Sequence, residues 1–308
     1  MILNTGSRTD IPAYYSEWFY NRIKEGFVYT RNPYNPKLIH SYKLDPSVVD
    51  VLVFCTKNPE PMMKRLNELD GYHQFWGVTL TAYGKDIEPQ VPNKHRIIEC
   101  IKELSKRVGP SCVEWRYDPI FLSDKYTKEV HIRSFEHIAR ELSGSIEACV
   151  ISFIDLYQKT IKNFPSVSEV TLDDQIELIK EFVQIGNKYK IRIKTCLENK
   201  ILAEYGVDTN GCLTQSVLEN SLDMKLNIPN LVQAREGCDC LLGNDIGSYN
   251  SCGHGCVYCY ANYDMNLVRE NMKKHNKNSP LLIGELNEED IVREMKQVSY
   301  ISHQLSLF

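Results

Sequence analysis

The run Val49-Asp-Val-Leu-Val-Phe54 is almost entirely apolar, and similar short runs recur along the first two hundred residues. Continuous apolar runs of this length are typical of parallel strands that are buried on both faces. The runs that predict strands are Met1–Asn4, Val49–Phe54, Phe75–Leu80, Cys112–Tyr117, Ala148–Phe153 and Ile191–Thr195. Amphipathic stretches between them predict helices over Asn93–Val108, over Thr127–Leu142 and from Thr171 onward.

Regular alternation of strands and helices predicts right-handed crossovers and a parallel sheet. Six or more such units favour an α/β fold of the (β/α) barrel type, complete or partial, over residues 1–235. A doubly wound sheet is the alternative. A last helix is predicted from about Leu286, with Ile291, Met295 and Val298 on one face, so that residues 266–303 form a C-terminal helical segment.

The composition of the 308 residues, 43% hydrophobic and 25% charged, is ordinary for a globular protein. The sequence shows neither a signal peptide nor an apolar run long enough to span a membrane. A formal net charge of −4 gives no general attraction to nucleic acid, so any contact with DNA needs a local basic patch.

Eleven cysteines are present, and five of them crowd into residues 238–259. The other six lie in apolar stretches and are interpreted as small buried side chains: Cys55, Cys100, Cys112, Cys149, Cys196 and Cys212. Scattered thiols together with one tight group favour a reducing cytoplasm over a secreted disulfide scaffold.

The run Cys252-Gly-His-Gly-Cys256-Val-Tyr-Cys259 has the spacing C-x3-C-x2-C. Three thiolates that are this close in sequence can hold three corners of a 4Fe–4S cluster and leave the fourth iron for another ligand. Gly253 and Gly255 allow the backbone to wrap closely around such a cluster. Residues 236–265 are therefore predicted to be an iron–sulfur loop that completes the barrel.

Zinc is the alternative metal, because four of the five clustered cysteines could form a tetrahedral site. Cys238 or Cys240 is also a candidate fourth ligand of an iron–sulfur cluster, which would block the binding of a further molecule at the fourth iron. The order C-x3-C-x2-C with Tyr258 before the last cysteine favours iron–sulfur.

With Tyr258 and Tyr260 beside it, the cysteine run resembles the radical S-adenosylmethionine (radical SAM) superfamily, and most closely its spore photoproduct lyase branch. The whole chain also resembles a family of unknown function that carries such cysteines near its C-terminus. The resemblance implies that the open iron chelates S-adenosylmethionine and that one electron cleaves it to methionine and a 5′-deoxyadenosyl radical. It also implies an electron donor as a partner.

In that superfamily the cysteine loop follows the first barrel strand, whereas here it follows the whole alternation of strands and helices. The resemblance therefore implies a circularly permuted barrel. In such a barrel the segment before Cys252 supplies the displaced strand, and Met1–Asp10 stands where the superfamily's second strand and its cofactor-binding turn lie. Barrel termini lie close together, which makes this permutation sterically feasible.

Polar residues follow each predicted strand, where the active sites of α/β barrels are built. We expect them to form a polar mouth for S-adenosylmethionine. The alternative for each residue, Glu198 included, is an ordinary role in a loop or at the cap of a helix. The predicted cofactor-binding residues are Arg8, Asp10, Arg116, Asp118, Asp155, Glu198 and Tyr258.

The last five residues, Gln304-Leu305-Ser306-Leu307-Phe308, resemble the peptide by which bacterial DNA polymerases and repair proteins bind the β sliding clamp. An extended tail can place its apolar side chains in pockets of such a partner. The alternative is that the tail folds back onto its own domain.

The two likenesses together suggest a radical SAM-type enzyme that acts on DNA in repair and is recruited by the sliding clamp. One alternative is a DNA-associated protein with a fully ligated iron–sulfur or zinc site and no radical chemistry. Another is a barrel enzyme in which the cluster is only structural.

Overall fold

The computed structural model describes residues 1–229 and 238–302. Within them the strands, numbered β1 to β9, are Ile2–Asn4, Phe27–Arg31, Leu38–Lys43, Val51–Thr56, Gln74–Thr79, Val113–Ile120, Ala148–Phe153, Arg192–Thr195 and Ile291–Glu294. The α-helices, numbered α1 to α9, are Ile11–Tyr14, Ser16–Glu25, Glu60–Met63, Lys94–Val108, Lys128–Leu142, Gln158–Asn163, Leu172–Tyr189, Gln215–Leu222 and Met265–Lys273. Short 3-10 helices cover Leu66–Leu69, Pro110–Cys112 and Lys200–Tyr205.

Six strands form a parallel sheet in the order β1-β4-β5-β6-β7-β8. These are the six strands predicted from the apolar runs, with small shifts at their ends. The fold is mixed α/β, as predicted. Across the described ranges no strand pairing joins β1 to β8, so a closed barrel is not confirmed.

Both edges of this sheet are extended by isolated parallel bridges. Asn4 of β1 pairs with Asp245, and Lys194 of β8 pairs with Asp208. The Leu241 N–H donates to the Leu213 carbonyl at 2.8 Å, so the segments that flank the two edges also meet each other.

The three predicted helices α4, α5 and α7 begin where their capping residues indicate. The side chains of Asn93, Thr127 and Thr171 each accept a hydrogen bond from a backbone N–H in the first turn. α5 and α7 pack together through Phe135 and Phe182, whose ring centroids lie 4.1 Å apart. Trp115 of β6 lies beneath Phe135, so this helical layer covers one face of the sheet.

The opposite face of the sheet carries a second apolar cluster. Val51, Val53, Phe75 and Val150 from the strands pack there with residues from after β8. Four cysteines belong to this cluster, namely Cys196, Cys212, Cys238 and Cys240.

A three-stranded sheet was not predicted. β2 and β3 form an antiparallel hairpin, and β9 pairs in parallel with β3. The prediction of a helix from about Leu286 is therefore wrong, because residues 291–294 form β9. The predicted C-terminal helical segment, 266–303, contains one helix in its described part, α9. The β-branched pair Ile291-Val292 favours a strand once β3 offers an edge for pairing. None of the described helices is both long and apolar enough to cross a membrane.

Candidate functional site

A cavity of about 1200 Å³ lies at the carboxyl ends of the parallel strands. Most polar residues predicted at strand ends contribute to its walls, as expected for the polar mouth. They are Ser7, Arg8, Thr9, Asp10, Thr56, Lys57, Thr79, Glu114, Arg116, Asp118, Ser152 and Asp155. Residues from the unpredicted hairpin, including Arg31, Tyr34 and His40, form part of the wall as well.

Cys252, Cys256 and Cys259 line the same cavity. Their loop depends on its two glycines. Gly255 has φ +69°, which is the left-handed region that favours glycine, and a Cβ on Gly253 would lie 2.7 Å from the Tyr14 ring. The backbone therefore curls closely between its neighbours at these two glycines.

Backbone hydrogen bonds hold this loop from two sides. The Val257 N–H donates to the Ile87 carbonyl at 3.0 Å, and the His254 carbonyl accepts from the Gln90 N–H at 3.0 Å. From the other side, the Tyr15 hydroxyl donates to the Ser251 carbonyl at 2.6 Å. These hydrogen bonds thus hold the backbone that carries the three thiols.

Asp10, predicted to bind a cofactor, anchors the loop. Its carboxylate accepts hydrogen bonds from the Thr56 hydroxyl at 2.7 Å and from the Lys57 N–H at 2.8 Å. It also caps helix α1 through the Ala13 N–H and lies 2.8 Å from Nε2 of His254, which stands between the first two loop cysteines. This carboxylate connects the ends of β1 and β4 with the cysteine loop.

Tyr258 takes part in a second buried network. Its hydroxyl donates to Glu88, whose carboxylate lies 2.9 Å from Nζ of Lys57. Burial alone would lower the pKa of Lys57, but the charge of Glu88 raises it, so the ammonium is retained. Lys57 is therefore a fixed positive charge beside Cys256, and it opposes the rise in pKa that burial causes there.

The two predicted arginines are held by acidic partners. Nε of Arg8 lies 2.9 Å from Asp245, the residue that pairs with β1. Arg116 binds Asp118 at 2.6 Å, and both face the cavity. A Cβ on Gly77 would lie 3.1 Å from Arg116, so that glycine makes room for the arginine side chain.

Asp155 lines the cavity and accepts a hydrogen bond from the Tyr157 hydroxyl at 3.0 Å. Glu198, in contrast, is not among the residues that line it. Its carboxylate accepts from the Phe153 N–H at 2.8 Å, and burial raises its pKa to about 7. The structure thus gives Glu198 a structural contact at the end of β7.

The predicted fourth ligands, Cys238 and Cys240, group with another cysteine. Their sulfurs and that of Cys196 all lie within 4.8 Å of one another, and these three thiols could hold a metal ion. Cys252, Cys256 and Cys259 form no such group, although all three are described. Wider separation suits a cubane, because each thiolate binds a different iron, whereas a single ion needs its ligands close together.

Burial raises the pKa of the loop thiols, to about 12 for Cys256. In the other group Cys212 behaves in the opposite way. Hydrogen bonding with Cys196 and Cys240, and then the charge of Arg116, lower the pKa of Cys212 well below its ordinary value. Hydrogen bonding with Cys212 raises the pKa of Cys196 in the same group. The two sets of thiols are therefore distinguished by their spacing.

A family model described as a domain of unknown function, DUF1848, matches residues 2–261. The chain belongs to the DUF1848 family. The matched residues include the whole parallel sheet and the three cysteines of the loop. Searches of curated proteins and of solved structures found no match.

The sequence predicts Cys196 and Cys212 only as buried side chains. They are buried, at 7% and 2% exposure, but they also approach Cys240. The close pair Cys238-Asp-Cys240 indicates candidate metal ligands, but nothing local in the sequence identifies Cys196 and Cys212 as their neighbours. The predicted tail residues, Gln304 to Phe308, lie outside the described residues.

Proposed function

We propose that this DUF1848 protein is an iron–sulfur enzyme of radical SAM type. Cys252, Cys256 and Cys259 would hold a 4Fe–4S cluster. When bound, that cluster would supply the electron that cleaves S-adenosylmethionine to methionine and a 5′-deoxyadenosyl radical. The likeness to the superfamily rests on the cysteine motif, since no radical SAM family is matched.

The parallel bridge between Asn4 and Asp245 carries this proposal. The Asn4 N–H donates to the Asn244 carbonyl at 2.9 Å, and the Ile246 N–H donates to the Asn4 carbonyl at 3.0 Å. The segment that leads into the cysteine loop therefore lies beside β1 and runs in the same direction. This arrangement supports the permuted barrel, in which that segment replaces the superfamily's first strand.

The surroundings of the loop suit a negatively charged cluster. Lys57 provides a buried ammonium near Cys256, and Glu88 keeps it charged. The Asp10–His254 contact and the backbone bonds to Ile87 and Gln90 hold the loop in place. The chain's own residues would therefore position the metal centre and limit its contact with water.

The polar walls suit a nucleoside with charged groups. Asp118 and Asp155 offer acceptors for ribose hydroxyls or an amine, and Arg116 offers donors for a carboxylate. The cavity volume of about 1200 Å³ exceeds the roughly 300–1,000 Å³ of common small-ligand pockets, which leaves space for a substrate beside the cofactor.

A nucleobase of DNA is the substrate that we infer. Tyr34, Tyr157 and Tyr260 line the cavity and are exposed, at 93%, 40% and 49%. Exposed aromatic rings at such a mouth can stack on a base that has been flipped out of a duplex. The likeness to spore photoproduct lyase and the clamp-like tail support the same substrate class.

Anaerobic reconstitution with iron and sulfide tests the metal assignment. We expect about four irons per chain from a 4Fe–4S cluster, and an electron paramagnetic resonance signal of the reduced protein that changes on addition of S-adenosylmethionine. The Cys252→Ser/Cys256→Ser/Cys259→Ser variant should lose this iron. Cys100→Ser, a buried thiol on α4, is the matched control and should keep it.

An iron signal that is indifferent to S-adenosylmethionine would instead favour the DNA-associated protein without radical chemistry. The substrate is tested separately by the release of 5′-deoxyadenosine with and without damaged DNA. Equal release in both cases would remove DNA as the substrate and leave the radical chemistry in place.

A further inference from the structure

Four buried thiols meet on the face of the parallel sheet away from α5 and α7. The Cys212 sulfur lies 3.4 Å from that of Cys196 and 3.3 Å from that of Cys240, and Cys196 and Cys240 are 3.9 Å apart. Cys238 completes the group, within 4.8 Å of Cys196 and Cys240. We propose that these four cysteines bind one zinc-class divalent cation, at a site separate from the cysteine loop.

The spacing of the sulfurs fits a single ion. With Zn–S bonds of about 2.3 Å, tetrahedral geometry places ligand sulfurs about 3.8 Å apart. The three distances among Cys196, Cys212 and Cys240, which are 3.3, 3.4 and 3.9 Å, lie close to that value. Cys238 lies within 4.8 Å of two of these sulfurs. A disulfide needs about 2.05 Å, so these pairs are not bonded to each other.

Burial and charge also suit a thiolate site. The four side chains are between 2% and 7% exposed. Four thiolates with a divalent cation carry two net negative charges. Two cations stand nearby, each of them also bound to a carboxylate, Lys194 to Glu114 and Arg116 to Asp118. Nζ of Lys194 donates to the Cys212 carbonyl at 3.0 Å, and Arg116 lies on the cavity wall with Cys196 and Cys212.

The cavity supplies an entry path for the ion, because Cys196 and Cys212 both line it. Gly211 permits the close approach of its loop, since its φ is +104° and its Cβ position lies 3.5 Å from the Cys240 sulfur. An ordinary side chain would strain this backbone, and its Cβ would lie only 3.2 Å from the Thr214 side chain.

The position of the ligands in the fold gives the site a role. Cys196 follows β8 directly, whereas Cys240 precedes the segment that pairs with β1. The segment after β8 and the segment before Asp245 are joined by a backbone hydrogen bond from the Leu241 N–H to the Leu213 carbonyl. A bound ion would therefore join the two edges of the sheet where no strand pairing does so in the described chain.

Metal analysis of the full chain, purified without chelator from zinc-containing medium, tests the site. We expect one zinc per chain in the wild type and in the Cys252→Ser/Cys256→Ser/Cys259→Ser variant. The Cys196→Ser/Cys212→Ser variant should lose the zinc almost completely, and the matched control Cys100→Ser should keep it. This pattern does not depend on the radical SAM proposal, because it requires zinc to remain when the loop cysteines are absent.

Cobalt titration keeps the proposal testable if the double variant fails to fold. In the loop triple variant the described residues offer this group of thiols for a metal ion. Co²⁺ should therefore give the intense thiolate charge-transfer and tetrahedral ligand-field absorption of a four-sulfur complex, and Zn²⁺ should displace it. The proposal is overturned if the triple variant contains no zinc and gives no such spectrum. Retention of zinc by a folded Cys196→Ser/Cys212→Ser protein would also overturn it.

Discussion

A single carboxylate, Asp10, holds together three parts of the cavity wall. It caps α1, accepts from Thr56 and Lys57 at the end of β4, and contacts His254 in the cysteine loop. The sequence predicted that Asp10 binds a cofactor, whereas the contacts that the structure gives it are with the protein. Its role in the proposed enzyme is therefore to position the loop.

At the same scale, the buried pair Glu114–Lys194 leads to a prediction. The charged atoms lie 2.8 Å apart and the side chains are only 5% and 3% exposed. Lys194→Met should lower the free energy of unfolding by about 3–5 kcal/mol, because it leaves a buried carboxylate without its partner. Chemical denaturation of both proteins at neutral pH measures this loss.

The control is the double variant Glu114→Gln/Lys194→Met, which should regain much of the lost stability because no buried charge remains. Burial already raises the pKa of Glu114. Lowering the pH should therefore reduce the difference in the free energy of unfolding between the wild type and Lys194→Met, since protonation of Glu114 removes the unpaired charge. A deficit that does not change with pH would contradict this explanation.

At the scale of elements, α7 approaches β8 through Gly186. A Cβ at this position would lie 2.5 Å from the Ile191 carbonyl oxygen and 2.9 Å from the Ile193 side chain. Gly186→Ala should therefore destabilise the protein by about 1–3 kcal/mol through overpacking, although alanine is the better helix former.

Asn187→Ala is the matched control, because it changes the neighbouring exposed residue of the same helix. It should leave the melting temperature unchanged or slightly raised, whereas Gly186→Ala lowers it. Equal melting temperatures for the two variants would show that the close approach of α7 and β8 does not require a glycine at position 186.

At the scale of the whole molecule, recruitment to DNA is proposed to depend on the last five residues. Deletion of Gln304–Phe308 should abolish retention of the protein on an immobilised β sliding clamp, because the apolar side chains that would enter the clamp pockets are removed. A pull-down with the full chain and with the truncated chain measures this.

A synthetic peptide with the sequence of the tail should compete with the full chain for the clamp. The truncated protein should keep the melting temperature of the full chain. If truncation lowers the melting temperature and leaves retention on the clamp unchanged, then the tail folds back onto its own domain, as the alternative states.

The sequence alone determined the six parallel strands, the starts of α4, α5 and α7, and the candidate cysteine loop. These features are local, since they depend on continuous apolar runs, capping residues and the spacing of nearby cysteines. The polar residues at strand ends could also be predicted to share one cavity, because the carboxyl ends of parallel strands lie at one edge of the sheet.

Only the tertiary structure decided the three-stranded sheet, the contact of Asp245 with β1 and the group formed by Cys196, Cys212, Cys238 and Cys240. Each of them joins segments that are distant in sequence. The strand β9 forms where β3 offers an edge for pairing, and the four thiols meet because the two edges of the parallel sheet are brought together. Local sequence patterns carry no information about such long-range contacts, which arise from packing of the whole chain.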